Sequence, residues 1–334
     1  MLERIMIIDE NSNILRREQN GFRKNRSTTD NTFILQEFMA FMKSNEQPTY
    51  FAFLDFANAY DSVVRSALMN ILKMSQITGK LWKLIQSTYE ETRVLLKLNG
   101  SITGQFDTSV GLKQGSCLSP VYFCFYINEM LKAANESEFG VRIGNIKLAL
   151  MAFADDLVVL AESPEHLQAL LDLVSHHADK LGLKFGLSKS NVMVTNKSYG
   201  NNPNFILQGQ TMAYTKEYKY LGTEIDKGGS VVQLIMDKTT RADRKFNMLR
   251  QRGVLRGRLS FEFKAKVYNA IILPGLLFST FNSDILKQLE IVYRRHWCYL
   301  LNVFGQPPDL VWMGETGVLP IKYIVIKRVL AYSA

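Results

Sequence analysis

The stretch AFADDLVVL, Ala152 to Leu160, sets two adjacent carboxylates, Asp155 and Asp156, between apolar runs that read as strand. Carboxylates at the tip of a core-like hairpin must be exposed or matched by a cation, because an unpaired buried carboxylate is costly. A DD pair alone is weak evidence, and a solvated turn is its ordinary reading. The flanks weigh against that reading. Hard cations such as Mg²⁺ prefer oxygen ligands, taking one or two protein carboxylates together with phosphate oxygens and water. A phosphoryl-transfer site is one place where such a pair belongs. It needs a further carboxylate from elsewhere in the chain. Asp55 in LDFANAYDSV closes the apolar run TYFAFLDF, Thr49 to Phe56, much as Asp155 closes its own. Two adjacent antiparallel strands would bring them together. Asp61 competes with Asp55 for this role, but six residues on, at the start of a helical pattern, an N-cap or first-turn carboxylate is its ordinary reading.

Outward from these runs, a coarse secondary structure follows from breakers and periodicity. The polar, basic first 47 residues contain a helix from about Asp30 to Lys43. After Asp55, one helix is expected from Ser62 to about Met74 and another through LWKLIQSTYEE. TRVLLKLNGSITGQFDTSV reads as a hairpin because NGS separates two β-rich runs. Beyond the GLKQGSCLSP loop, a long helix should run from Pro120 to about Ala134. In IKLALMAFADDLVVLAES the aspartates mark a turn between strands, and Ser163 can cap a helix from Pro164 to about Lys180. Short strands cover Asn191 to Thr195, Phe205 to Leu207 and Tyr218 to Ile225. From Gly229 the texture changes to long amphipathic helices, which marks a domain boundary.

The 334 residues are 47% hydrophobic, enough for a substantial core. Forty Lys and Arg against 31 Asp and Glu leave a net charge of +9, which favours an anionic partner, nucleic acid or a membrane surface. Cys117, Cys124 and Cys298 show no CxxC spacing and only four histidines are present, which argues against a zinc site or a disulfide framework. A reducing intracellular compartment is expected, with nucleus and cytoplasm both open. Neither a secretory signal nor an apolar membrane span is read.

In order, QNGFRKNRSTTD, FAFLDFANAYDSV, GLKQGSCLSP, AFADDLVVLAES, GLKFGLSKSNVMV and YKYLGTEID resemble the successive blocks of reverse transcriptases from non-LTR (LINE-type) retrotransposons, of the RTE/jockey kind. KVYNAIILPGLLF and LEIVYRRHWCYLLNVFG resemble their thumb and early post-thumb region more loosely. The resemblance implies an α+β right-hand polymerase. Residues 1–228 would form fingers (about 1–47 and 62–112) and an antiparallel-sheet palm with packed helices (about 48–61 and 113–228), and 229–334 a helical thumb and early post-thumb region. It further implies an RNA-directed DNA polymerase that extends a primer 3′ hydroxyl by two-metal phosphoryl transfer, with two Mg²⁺ ions (or Mn²⁺), dNTPs, an RNA template and a DNA primer as partners, and no membrane.

Under the same resemblance Asp55, Asp155 and Asp156 are the metal ligands, Asp156 being the second aspartate of its block, and Lys189 stands near the leaving pyrophosphate. Tyr60 matches the bulky gate beside the sugar 2′ position, where a core aromatic would otherwise be the reading. Gln114 and Gly115 approach the incoming nucleotide and template. Arg23, Lys24 and Arg26 form a basic element for triphosphate or template backbone. In the tail, Lys238, Arg241, Arg244, Lys245, Arg250, Arg252, Arg256 and Arg258 offer phosphate contacts, while Phe246, Met248 and Leu249 read as packing. Basic clusters can also be solvated faces or bind partner proteins. The chain departs from the pattern at Asn58, where Lys is frequent, and at Gly186 and Asn191. Only Met1 to Glu18 precede QNGFR, where the family carries further fingers sequence. The endonuclease and zinc knuckle that the family carries upstream and downstream are not read in this sequence, so nicking of target DNA is not expected of it. A catalytically impaired retrotransposon remnant that binds nucleic acid is the alternative, and a nuclease a weaker third.

Overall fold

The computed structural model describes residues 1–90, 93–98, 101–196, 203–227, 231–256, 259–277, 283–303, 313–314 and 316–333. Two compact units divide the chain, Met1–Gly228 and Gly229–Ala334.

The first unit begins with α1 (Leu2–Ser12) and α2 (Thr28–Ser44), followed by β1 (Thr49–Ala57), α3 (Arg65–Met74) and α4 (Gly79–Ser87). A hairpin of β2 (Arg93–Leu98) and β3 (Ser101–Asp107) precedes α5 (Ser119–Tyr126) and α6 (Asn128–Glu136). Then come β4 (Val141–Ile143), β5 (Ile146–Leu148), β6 (Leu150–Phe153), β7 (Asp156–Ala161) and α7 (Pro164–Lys180). β8 (Lys184–Phe185), β9 (Asn191–Thr195), β10 (Ile206–Leu207), β11 (Gln210–Thr211), β12 (Ala213–Tyr214) and a hairpin of β13 (Glu217–Tyr220) and β14 (Thr223–Asp226) complete it.

β1 is the centre of this unit because both of its faces are apolar. The main sheet runs β12-β9-β1-β7-β6, with β8 pairing the end of β1. Tyr50, Ala52, Leu54 and Phe56 face a core shared with Leu68, Leu72, Phe123, Leu131 and Leu170 of α3, α5, α6 and α7. Phe51 and Phe53 face a second core with Leu35, Phe38 and Met42 of α2 and Tyr220 and Ile225 of the last hairpin. A strand covered on both faces reads as a continuous apolar run, which is how TYFAFLDF reads. α7 starts where its cap predicts: Pro164 is in the first turn and Ser163 Oγ accepts from His166 N at 3.1 Å.

Several expectations are corrected. α3 begins at Arg65, after a turn through Asn58 (φ 51°) to Ser62, so Asp61 caps no helix; its carboxylate accepts from Gln114 Nε2 at 2.9 Å. The long helix after Pro120 is two helices broken at Ile127. Tyr218 to Ile225 folds back on itself, because Leu221 and Gly222 take positive φ (47° and 81°). Asp156 opens β7, leaving Ala154 and Asp155 as the turn. α1 lies in the segment read only as polar and basic. The NG of the β2–β3 turn lies outside the described residues.

Arg23 is also corrected. Expected against triphosphate, it turns inward: its Nη2 lies 3.2 Å from Asp9 Oδ2 and its Nη1 donates to the Arg16 carbonyl at 2.9 Å. Asp9 of α1 is 1% exposed and also accepts from Leu15 N at 2.7 Å. The pair thus ties α1 to the loop leading into α2.

The second unit contains α8 (Val231–Gln251), α9 (Phe261–Ile271), α10 (Leu273–Leu277), α11 (Ser283–Leu300) and α12 (Ile321–Ser333). Phe246, Leu249, Tyr268, Tyr293 and Trp297 centre its core. Met248, expected to pack, is exposed. His296 joins three helices: it stacks on Phe246 at 4.0 Å, meets Tyr268 Oη at 3.1 Å through Nδ1 and Asp243 Oδ1 at 2.8 Å through Nε2. Burial pulls its pKa down to about 4, so the neutral ring donates from Nε2 and accepts at Nδ1. Lys238, expected on phosphate, is buried, and desolvation pulls its ammonium pKa down to about 7.

Removing one member of a buried ion pair strands the other. Asp9→Ala should therefore destabilise the first unit by about 3 kcal/mol, read as a lower urea midpoint with an unchanged slope.

Candidate active site

The β1–β7 register runs from Tyr50↔Ala161 to Asp55↔Asp156. Cross-strand partners project from the same face of a sheet. Asp55 and Asp156 therefore continue the face of Phe51, Phe53, Val158 and Leu160, beyond the point where α2 and the last hairpin cover it. Asp155 adjoins them in the two-residue turn, after Ala154 at φ 56°. The strands are held by their apolar faces, and the carboxylates ride on their ends.

This proximity has an electrostatic cost. Burial raises the pKa of Asp156 to about 6, helped by the charges of Asp155 and Asp55. Burial also raises that of Asp155, with Asp55 adding to the effect. Lys189 opposes both shifts, its Nζ standing 3.4 Å from Asp55 Oδ2. That lysine is 72% exposed and Asp55 only 17%, so the ammonium reaches in from solvent.

The other expected residues divide by position. Tyr60 stacks on buried Phe123 with centroids 5.4 Å apart. Its phenol is pushed up to about 12 by burial and by the nearby Asp155 charge. Gln114 is bonded to Asp61, and Gly115 has φ 83°, a conformation suited to glycine. Lys24, Arg26, Arg241, Arg244 and Lys245 are exposed, whereas Arg23 and Lys238 belong to interiors. Arg252 and Arg256 are exposed too, and Arg258 lies outside the described residues.

Sequence reading gave no role to several residues that shape the site. Gly186 N donates to the Asp55 carbonyl at 2.8 Å, and the Asp55 N–H donates to Ser190 Oγ at 3.2 Å. Tyr218 stacks on Phe53 at 4.2 Å and donates its hydroxyl to the Lys189 carbonyl at 3.0 Å. Its phenol is also raised to about 12, by burial and by Asp156 and Asp55. Their positions in LKFGLSKS and YKY, beside the lysine and the last hairpin, were the available signal.

Among the described residues no three His, Cys, Asp or Glu groups converge into a ready-made metal cage. The donor set nevertheless fits Mg²⁺, which takes oxygen ligands and completes its shell from phosphate and water. Mutual repulsion among Asp55, Asp155 and Asp156 is what such a cation would relieve.

Burial first, and then the Asp155 and Asp55 charges, raise the Asp156 pKa and so give stability a pH dependence. The folded chain holds the Asp156 proton up to about pH 6, whereas the unfolded chain releases it near the ordinary aspartate value. Between those values the folded state binds more protons, so stability falls as pH rises. Asp156→Asn should flatten that fall and raise the melting temperature at pH 7.5, measured by thermal melts in chelator from pH 4.5 to 7.5.

Residues 1–225 match the family model described as reverse transcriptase (RNA-dependent DNA polymerase). An RNA-directed DNA polymerase from mobile element jockey of Drosophila funebris is 26% identical over 286 residues, covering 84% of this chain and 31% of that protein. The Pol polyprotein of the type-2 retrotransposable element R2DM of Drosophila melanogaster is 29% identical over 223 residues, 64% of this chain and 21% of that protein. The chain thus spans about a third or less of these relatives. Apo telomerase from Candida tropicalis superposes with a TM-score of 0.53 at 15% identity, over 90% of this chain and 50% of that one. The α+β fold is that of the right-hand polymerases. With the family model spanning most of the chain, from α1 into β14, the protein belongs to the reverse transcriptase (RNA-dependent DNA polymerase) family.

Proposed function

We propose that the chain is the polymerase portion of a non-LTR retrotransposon reverse transcriptase, which extends a primer 3′ hydroxyl on an RNA template with dNTPs and releases pyrophosphate. The observation that carries this reading is the Asp55↔Asp156 register, with Asp155 in the adjoining turn and Lys189 Nζ 3.4 Å from Asp55. Asp55 and Asp155 would hold two Mg²⁺ ions, with Asp156 as the third carboxylate. The ions, when bound, supply activation of the attacking hydroxyl and stabilisation of the leaving oxygen.

The rest is done by the chain's own groups. Lys189, exposed and on a flexible stem, leaves Asp55 to give its proton to the departing pyrophosphate. Tyr60, braced on Phe123, crowds the sugar 2′ position. Gln114 and Gly115 approach the nucleotide, and Gln114 exchanges its bond to Asp61 for one to substrate or template. Lys24, Arg26, Arg241, Arg244 and Lys245 contact phosphates without reading sequence. On this reading the first unit is fingers and palm, and the second the thumb.

Primer extension on an RNA template with Mg²⁺ and dNTPs tests the reading. Asp155→Asn should abolish extension and keep RNA binding; an active variant would overturn the site. A folded, RNA-binding chain that extends nothing would favour the remnant reading instead. Tyr60→Val should keep dNTP extension and raise ribonucleotide incorporation by at least about ten-fold, the discrimination expected when a packed steric contact is removed, checked by single-nucleotide addition with dNTP against NTP.

A further inference from the structure

The turn that presents Asp155 is held from outside its own hairpin. Gln19 is fully buried, and its Oε1 accepts both from Ala154 N at 2.9 Å and from Gly21 N at 2.8 Å. Because both neighbours are donors, the orientation of the amide is determined. Around it, Asn20 N donates to the Ala152 carbonyl at 3.0 Å and Ala152 N to the Glu18 carbonyl at 2.9 Å, a parallel bridge along the edge of β6.

Two further features make this more than packing. A Cβ at Gly21 would run into the Ala154 nitrogen and stand 3.0 Å from the Phe153 carbonyl carbon. Only glycine lets the segment lie this close. Among the described residues the buried Gln19 Nε2 has no hydrogen-bond partner, a cost that an apolar residue of similar volume would avoid. Ala154 meanwhile sits at φ 56°, uncommon for a residue with a side chain, and such a conformation persists where its surroundings over-determine it. Cys124 Sγ donates to the Gly21 carbonyl at 3.4 Å and closes the other side of the segment.

From this geometry we infer that Gln19 is a positioning residue for the polymerase centre: its amide oxygen fixes the Ala154 N–H, and through it the direction in which Asp155 is presented. Gly21 is what allows the close approach. This rests on the polymerase reading for its catalytic consequence, but the brace itself is independent of it.

Two variants separate the acceptor from the bulk it fills. Gln19→Leu removes the acceptor, and Gln19→Glu returns one. Hydrogen exchange of peptides spanning residues 150–157, melting temperature, template–primer binding and single-nucleotide kinetics are measured for the full chain. The expected result for Gln19→Leu is lost protection at 153–156 and a kcat lower by on the order of 10²-fold, with dNTP KM and duplex binding within about two-fold, as for a reacting group displaced by an ångström. Gln19→Glu should recover protection and most of kcat. Retained protection in Gln19→Leu would overturn the inference. So would unchanged kcat despite lost protection, or a parallel loss of melting temperature, KM and kcat. Should the unsubstituted chain extend no primer, the polymerase reading fails first. The brace is then judged by exchange and by Mn²⁺ titration followed by electron paramagnetic resonance: lost protection with weaker Mn²⁺ binding in Gln19→Leu supports it, and no change in either overturns it.

Discussion

Everything at this site depends on one unfavourable pairing. Asp55 and Asp156 stand opposite each other on neighbouring strands, where like charges repel, and Asp155 adds a third charge beside them. Such an arrangement holds only if the strands are fixed by something stronger. The fixing comes from the other end: Phe51, Phe53, Val158 and Leu160 are essentially fully buried on the same face. Each such side chain contributes about 1.5–3 kcal/mol on burial, so a few of them outweigh the repulsion of charges that keep partial access to solvent. The apolar run and the carboxylates that end it are therefore one design, in which the first carries the cost of the second.

That design is also why so much of the first unit could be read from sequence. A strand apolar on both faces announces itself, and Asp55 and Asp155 each interrupt one. What escaped reading depended on backbone conformation or on partners far along the chain. Asn58 adopts a left-handed φ, which Asn tolerates better than most residues, and the turn it opens delays α3 to Arg65. Leu221 and Gly222 hide a hairpin inside what looks like one strand. The break at Ile127 falls between VYFCFY and NEMLKAANE, both compatible with helix, with no Pro or Gly to mark it.

Charge was the least legible property. Composition counts Arg23 and Lys238 with the residues that would meet phosphate, yet the first lies on buried Asp9 and the second is inside its helical unit. Nothing local distinguishes them from exposed Lys24 or Arg244, because the difference lies in which face of a helix or turn meets a core. In the second unit the same holds for His296, whose neutral ring bridges Asp243 and Tyr268. A net charge thus overstates the surface available for nucleic acid.

Lys189 shows how a site can be both anchored and mobile. Its main chain is fixed, the carbonyl accepting from the Tyr218 hydroxyl and the N–H donating to the Gly186 carbonyl at 3.0 Å. Tyr218 in turn stacks on Phe53, two residues before Asp55 on the same face of β1, and Gly186 N donates to the Asp55 carbonyl. The backbone of the lysine is therefore referenced to the strand that carries the carboxylate, while its long side chain remains mostly in solvent. An ammonium held in this way neutralises Asp55 and, on the proposed reading, would leave it when a metal cation binds there. Only the stem has to rotate, because the frame that sets its reach is built into β1.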